Sequence, residues 1–493
     1  DDGRVHYTQN GGETWVDVTK NIKGLPTGSW IPQIKASQNN KGEALLIAND
    51  YRRFNYTPYA YRTKDYGKTW TRIVDENDVE SYTLSIIEDP KNPNLMFLGT
   101  DDGLYLSLDA GNNWKKWNKD FPTVSTKDLA IHPREQDLVI GTFGRAAWVL
   151  DDIRPLRKLA GNTSVLEKEI GLFDSPDAYL AAYQQPTGGR FGGDAIYSGE
   201  NRESGAMITY YLKEGADKSK EEKKDESEED DKAEDEKPKE KTKDSIFFEF
   251  YDGDRLIRTL KYKTPEKAGF HRIYWNLDEK GPDRPSRTIS KRDRERGGIE
   301  VKPGTYKVKA VYGDVSDSTM VTVKTDPRLD VDLASINEVY ETGKKLEGYT
   351  QTAADAVKQL VESKNLAEKF KKELKELDKD KFKEQIKASE EITKQIDSVI
   401  ALYLGKEDKR QGITDDPEPN VMTRLGDASY YVNTRKSGIT GTERRMIRFA
   451  EEELKAALES TNTFFNDEWK SYRTSIESLD LSPFKETESF ELK

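Results

Sequence analysis

Thr8-Gln9-Asn10-Gly11-Gly12-Glu13-Thr14-Trp15 returns as Thr63-Lys64-Asp65-Tyr66-Gly67-Lys68-Thr69-Trp70, and again as Ser107-Leu108-Asp109-Ala110-Gly111-Asn112-Asn113-Trp114. All three fit Ser/Thr-x-Asp/Asn-x-Gly-x-x-Trp, with starts 55 and 44 residues apart. Each copy follows a short alternating run: Arg4–Tyr7, Tyr59–Arg62 and Leu104–Leu106. Gly99-Thr100 and Gly141-Thr142, each after an apolar run, give a second echo. The physical reading is a fold-back between two strands. The Asn or Asp side chain accepts hydrogen bonds from its own turn, and a glycine two residues later supplies positive φ. The closing tryptophan is expected to wedge between adjacent sheets. A repeat of ~40–50 residues suits one four-stranded propeller blade.

Residues 1–153 therefore read as about three blades, with Gly141 to Asp152 as a degenerate closing strand. Propellers run from ~4 blades upward, so three cannot close a ring. The expected partners are further blades, carried N-terminal to Asp1 or on another chain. The opening Asp1-Asp2-Gly3, which reads as a turn inside a repeat, leads to the same expectation.

Residues 154–204 have no clear period and read as a linker packed on its neighbours. Their glycine-rich run Gly188–Asp194 lacks the Lys-Ser/Thr of a phosphate loop. Alternating strands follow over 205–326: Ala206–Leu212, Ile246–Tyr251, Leu256–Leu260, Phe270–Leu277, Gly304–Tyr312 and Met320–Val323. They read as an Ig-like β-sandwich. Between its first two strands lies Glu214 to Asp244, whose 31 residues hold 15 acids and 9 lysines. That segment carries too little apolar surface to offset ordering entropy, and reads as a disordered loop inside a hairpin. Gly281 to Gly298 reads as a second, shorter exposed loop.

From Leu333 the apolar period changes to 3–4, through Ile336, Tyr340, Leu346, Val357, Leu360 and Leu374. A turn is expected at Asp378-Lys379-Asp380, a helix stop at Gly405, and a cap at Thr442 ahead of the last long helix. Residues 327–493 thus read as a helical bundle. The fold class is multidomain, mainly β and then α.

Composition limits the chemistry. The 493 residues hold no cysteine and three histidines that share no motif, which removes thiolate chemistry and His- or Cys-based metal cages. No metal or cofactor is expected. A net charge of −12 argues against general nucleic-acid binding. Mean hydropathy is −0.88, and no apolar run reaches the ~20 residues of a membrane helix.

The octapeptides resemble the Asp-box, or bacterial-neuraminidase (BNR), repeat of sialidases, xyloglucanase-type glycosidases and sortilin-type receptors. With Gly141–Asp152 closing the blades, Gly205–Leu212 opening the sandwich and helices from about Asp326, the whole resembles the C-terminal half of large bacterial BNR-repeat proteins. Those have a sortilin-like propeller and are often labelled glycosyl hydrolases. The resemblance implies an extracytoplasmic protein of the periplasm, outer-membrane surface or secreted fraction. In that family the box is a structural turn, which assigns Asn10, Gly12, Trp15, Asp65, Gly67, Trp70, Asp109, Gly111 and Trp114 to architecture.

Function reads three ways: a ligand-binding or scaffolding component, a glycoside hydrolase, or an accessory subunit of an outer-membrane or surface assembly. The binding candidates are Tyr51, Arg52, Arg53 and Tyr56, in a loop that interrupts a blade and mixes aromatics with arginine. Its partner would be a peptide, a glycan or an envelope protein. Hydrolysis would need two carboxylates ~5–10 Å apart. Asp50 and Asp102 are the weak catalytic candidates, and Asp101, Asp151 and Asp152 also lie near strand ends.

Overall fold

The computed structural model describes residues 2–181, 202–216, 243–289, 295–406, 418–434 and 436–479. The glycine-rich run at 188–194 and nearly all of the acidic segment lie outside them. The chain divides into two compact units. One comprises Asp1–Arg255, Lys261–Asn276 and Thr305–Lys324; the other comprises Leu256–Leu260, Leu277–Gly304 and Thr325–Lys493.

In the first unit, an outer hairpin pairs β1 (His6–Tyr7) with β2 (Val16–Asp17). Two four-stranded antiparallel sheets follow. The first takes β3 (Trp30–Ala36), β4 (Ala44–Asp50), β5 (Asn55–Thr63) and β6 (Thr71–Arg72) in sequence order. The second takes β7 (Thr83–Glu88), β8 (Met96–Thr100), β9 (Gly103–Ser107) and β10 (Lys115–Trp117) likewise. Residues 126–150 add a three-stranded sheet of β11 (Thr126–Ile131), β12 (Leu138–Thr142) and β13 (Ala147–Leu150). This is a partial Asp-box propeller. The stretch read as one closing strand supplies β12 and β13 of that sheet, because Gly144 takes φ 102° and lets the chain turn back.

Side chains alternate across each strand, so every sheet buries two faces. Tyr59, Tyr61, Leu46 and Ala48 pack back onto Val5, Val18 and Ile22 of the hairpin. Leu45, Ile47 and Ala60 pack forward onto Ile86, Met96, Leu98 and Tyr105. Leu95, Phe97 and Leu104 then meet Leu129, Leu138 and Ile140. Between sheets, Arg62 is buried in ion pairs with Glu43 (3.2 Å) and Glu88 (3.1 Å). Lys35 on β3 reaches past β7 to donate to the Leu129 carbonyl on β11 at 3.1 Å.

The three box tryptophans do not all act as wedges. Trp114 is 5% exposed and donates its indole N–H to the Ile73 carbonyl at 2.7 Å. Trp70 packs on the hairpin cluster. Trp15 is 61% exposed. The expectation fails there because no sheet lies against its side of the hairpin among the described residues.

A short helix α1 (Arg154–Leu159) leads to β14 (Ile170–Leu172) and β15 (Ala178–Leu180). One sheet takes β14, β16 (Ala206–Leu212) and β19 (Gly269–Trp275). A second takes β15, β23 (Val315–Thr325), β22 (Gly304–Tyr312) and β17 (Ser245–Asp252). The strand β18 (Arg255–Lys263) is divided between the two units. Phe250 of β17 stacks on the fully buried Trp275 of β19 at 4.5 Å. The acidic segment does not sit inside a hairpin, because β16 pairs with β14 and β19 while β17 pairs with β22. It links strands of different sheets.

The second unit carries the helices α2 (Leu333–Asp378), α3 (Lys383–Leu404), α4 (Val421–Asn433), α5 (Gly441–Phe464) and α6 (Lys470–Glu477). Their apolar stripes meet in one core through Leu346, Val357, Leu360, Ile396, Leu425 and Leu454. Two buried hydroxyl pairs lie inside: the Tyr403 hydroxyl is 2.8 Å from that of Thr461, and the Tyr472 hydroxyl 3.0 Å from that of Ser389. Gly405 ends α3. Thr440, not Thr442, caps α5: Glu443 reaches back to the Thr440 N–H at 2.9 Å, where the chain is still extended. A five-residue π segment, Phe465–Trp469, joins α5 to α6. The exposed loop expected over 281–298 is partly ordered as β21 (Gly297–Glu300), paired with β20 (Asp278–Lys280).

Candidate functional site

Antiparallel strands place alternate connections at opposite ends of a sheet. The boxes, between β5 and β6 and between β9 and β10, share one end with the connections that precede β4 and β8. The opposite end carries the start of β3, the β4–β5 turn, the start of β7 and the β8–β9 turn. The binding candidates and both weak catalytic candidates stand at that opposite end.

The β4–β5 turn is a single 3₁₀ turn over Tyr51–Arg53, closed by Phe54 at φ 59°. A left-handed non-glycine residue is held there by its surroundings. Phe54 itself is 86% exposed. Asp50 is buried beneath the turn and accepts from Arg53 Nε at 2.6 Å and Asn55 Nδ2 at 3.4 Å. Arg53 also donates to the Thr27 carbonyl at 3.0 Å. Arg53 thus ties the turn down.

Above this base the aromatics converge. Tyr51 stacks on Tyr82 with centroids 4.9 Å apart and planes 17° off parallel. Tyr56 tilts against Tyr82 at 6.1 Å, and Trp30 meets Tyr51 edge-on at 6.4 Å. The Arg52 guanidinium lies 5.0 Å from the Trp30 ring centroid and 5.8 Å from that of Tyr51. Tyr82 is the anchor, 8% exposed, whereas Tyr56 is 55% exposed. Burial, and then the Asp101 carboxylate to which it hydrogen-bonds, push the Tyr82 hydroxyl far above the usual tyrosine range. Trp30 and Tyr82 were not singled out from sequence. Trp30 opens β3 and Tyr82 stands one residue before β7, positions that become informative only once neighbouring sheets are placed side by side.

The carboxylates are engaged by separate partners. Asp102 accepts from Thr100 Oγ1 at 2.6 Å and Lys116 Nζ at 2.5 Å. Asp50 is held by Arg53. Asp151 and Asp152 follow β13 at the box end of their sheet, opposite to Asp50, Asp101 and Asp102. The Asp151 carboxyl is pushed upward, by burial and then by the neighbouring charge of Asp137, against Arg202 and Arg272. Asp152 is buried and pairs with Arg154 at 2.6 Å. Among the described residues no group of three or more His, Asp or Glu is placed to hold a metal.

The boxes use their polar atoms on themselves. Asp65 accepts from the Thr69 hydroxyl (2.6 Å), the Thr69 N–H (2.8 Å) and the Thr63 hydroxyl (2.9 Å). Those bonds, the Thr69 hydroxyl foremost, lower its pKa. Asp109 repeats the pattern with Asn113 and Ser107, and Asn10 with Thr14 and Thr8.

The family model described as Sortilin, neurotensin receptor 3 (Sortilin-Vps10) matches residues 59–153. Among solved structures, a GH74 enzyme from Niastella koreensis is 12% identical, covering 59% of this chain and 46% of its own, with a TM-score of 0.22. The GH74 xyloglucanase from Xanthomonas campestris is 11% identical, covering 62% and 45%, at 0.21. An ancestral GH74 enzyme is 10% identical, covering 62% and 39%, at 0.20. The chain spans less than half the length of these structures. No curated protein matches it.

Proposed function

We propose that this chain, whose first unit carries a sortilin-like propeller segment, is the ligand-binding or scaffolding part of an extracytoplasmic protein. The ligand, a glycan or a peptide, would be held on the aromatic end of the propeller. The observation that supports this is the Tyr51–Tyr82 stack with Arg52 over its edge and Tyr56 open beside it. Flat rings offer contact area at low entropy cost, and guanidinium and aromatic groups dominate contact hot spots. We read the sheets over 205–326 as an Ig-like module, and they and the bundle as spacers or docking surfaces. No helix among the described residues is long and apolar enough to cross a membrane. The periplasm, the outer-membrane surface or the secreted fraction is the proposed location.

The test is titration of the full chain against a glycan panel and a peptide panel. Tyr56→Ala and Arg52→Ala should each weaken the bound member about 5–30-fold, as expected for losing ~1–2 kcal/mol of ring or cation–π contact, with unchanged thermal unfolding. Binding that ignores both substitutions sinks the proposal. A hydrolytic reading would need a free carboxyl pair facing the ligand. At this end Asp50 and Asp102 each already hold a cation. Release of reducing ends from the glycan panel, lost in Asp102→Asn, would favour hydrolysis instead.

A further inference from the structure

Two turns at the end of the sheets opposite the boxes are alike. The strand β13 runs back to the box end, so the β12–β13 turn stands at the other end with the β4–β5 and β8–β9 turns. The β4–β5 turn (51–54) and the β12–β13 turn (143–146) have equal length, and each carries a phenylalanine and at least one arginine. The β8–β9 turn on the sheet between them is shorter, only Asp101 and Asp102. Phe54 is 86% exposed and Phe143 75%. Their backbones are nevertheless braced. The Phe54 N–H donates to the Tyr51 carbonyl at 2.9 Å, and the Phe143 N–H to the Ser125 carbonyl at 2.8 Å. The Thr142 N–H and hydroxyl close the second turn on the Ala146 carbonyl, at 3.1 Å and 2.5 Å.

Charge follows the same order of sheets. Arg52 at the first turn, with Arg145 and Lys127 at the third, makes no ion pair among the described residues. The Lys127 ammonium lies 5.8 Å from the Phe143 ring centroid. The middle sheet is acidic at this end. Asp101 is exposed and meets no lysine or arginine among the described residues. Glu80, 4.0 Å from Lys116, keeps 79% of its side chain in solvent. Sheets packed face to face lie ~10 Å apart, which sets the two rings roughly 20 Å apart with the acids midway. An extended chain rises ~3.3 Å per residue and turns alternate side chains to one side, so about six residues cover that gap.

We infer that Phe54 and Phe143 are the two end anchors of this surface, and that its ligand is an extended peptide of matching pattern. That peptide carries two apolar side chains about six residues apart, an acidic residue beside each, and basic residues between them. The inference rests on the ligand-binding role proposed above for this end, and names the ligand. Two rings already held at a fixed spacing leave little to be ordered on binding. A neutral glycan can stack on either ring, but it has no charge to set against Arg52 and Arg145 or against Asp101. A lipid surface would meet both rings, yet it would press Asp101 and Glu80 against phosphates of their own sign. An extended peptide satisfies all three sheets at once.

The probe is a synthetic serine- and glycine-based peptide with two phenylalanines about six residues apart, an aspartate beside each and lysines between. Titrated against the full chain, it should bind about tenfold more tightly than a peptide of the same composition with the phenylalanines adjacent. Exchanging its aspartates and lysines should weaken it by about as much. Phe54→Ala and Phe143→Ala should each weaken the spaced peptide about tenfold and abolish its advantage over the adjacent one. Both rings are exposed, so thermal unfolding should stay unchanged. Equal binding of spaced and adjacent peptides overturns the inference, as does spaced-peptide binding that ignores Phe143→Ala, or none at ~1 mM. Ligand binding at this end is judged separately, by Tyr56→Ala and Arg52→Ala against the two panels. A panel member lost in those variants but indifferent to Phe143→Ala overturns the inference and leaves the proposed role standing. Binding to phosphatidylglycerol vesicles that both phenylalanine variants abolish, with none to the peptide, overturns it in favour of a lipid surface.

Discussion

Trp114 and Trp15 close the same octapeptide, yet one is sealed between sheets and the other stands in solvent. Trp114→Ala should cost about 3–5 kcal/mol, whereas Trp15→Ala should fall within about 0.5 kcal/mol; urea unfolding of the two variants checks both. Asp151 gives a pH-dependent contrast. Its pKa lies above the ordinary 3.8, so the native state holds its proton more tightly than the unfolded chain does. Its effect on stability therefore falls as pH rises through the window from 3.8 to the native value, and that loss is absent below 3.8. Asp151→Asn should raise the melting temperature at pH 7, with the gain disappearing by about pH 3. Equal melting at pH 7, or a gain that grows on acidification, would refute that assignment. The box residues were legible because their bonds close within eight residues of chain. Tyr51, Arg52 and Tyr56 were legible as a composition. Trp30 and Tyr82 were not, since the first lies 21 and the second 31 residues from Tyr51 in sequence; strand pairing brings Trp30 to Tyr51, and the packing of the next sheet brings Tyr82.

Helices showed their type and extent early, because a 3–4 period sustained over α2 admits few other conformations. The strands over 206–323 showed their type but not their partners. Alternation reports that one face is buried and is silent about which neighbour supplies the hydrogen bonds, which is why a change of sheet between β16 and β17 read as a hairpin. Caps are more local. Asn420 accepts from the Thr423 N–H at 3.1 Å, and Thr423 Oγ1 receives the Asn420 N–H at 2.8 Å, opening α4 with a reciprocal box. Asn420→Ala should destabilise the second unit by about 0.5–2 kcal/mol, read as a shift in denaturation midpoint with an unchanged slope. The π segment behaves differently, because it holds one residue more than a regular helix uses over nearly the same rotation. Deleting one residue from Phe465–Trp469 should therefore leave Tyr472 and Ile476 in the core. Deleting Ser471 from the regular helix ahead of them turns all that follows by about 100°, with loss of helical circular dichroism on mild heating as the sign.

Across the whole propeller, apolar packing joins each sheet to its neighbour alone, as in other stacked repeats. The Lys35 bond to Leu129 is different in kind, since β3 and β11 are separated by the sheet of β7. Burial lowers the pKa of Lys35, opposed by the charge of Asp128, so the ammonium is kept where solvent is scarce. Lys35→Met should cost about 1 kcal/mol in urea unfolding. Its ammonium works as a chord drawn across three consecutive wedges, and its reach fits the angle that the apolar packing between them sets. Adding wedges at either rim would leave that angle as it is, so the size of any completed circle is written into the curvature of the arc that residues 30–131 already make.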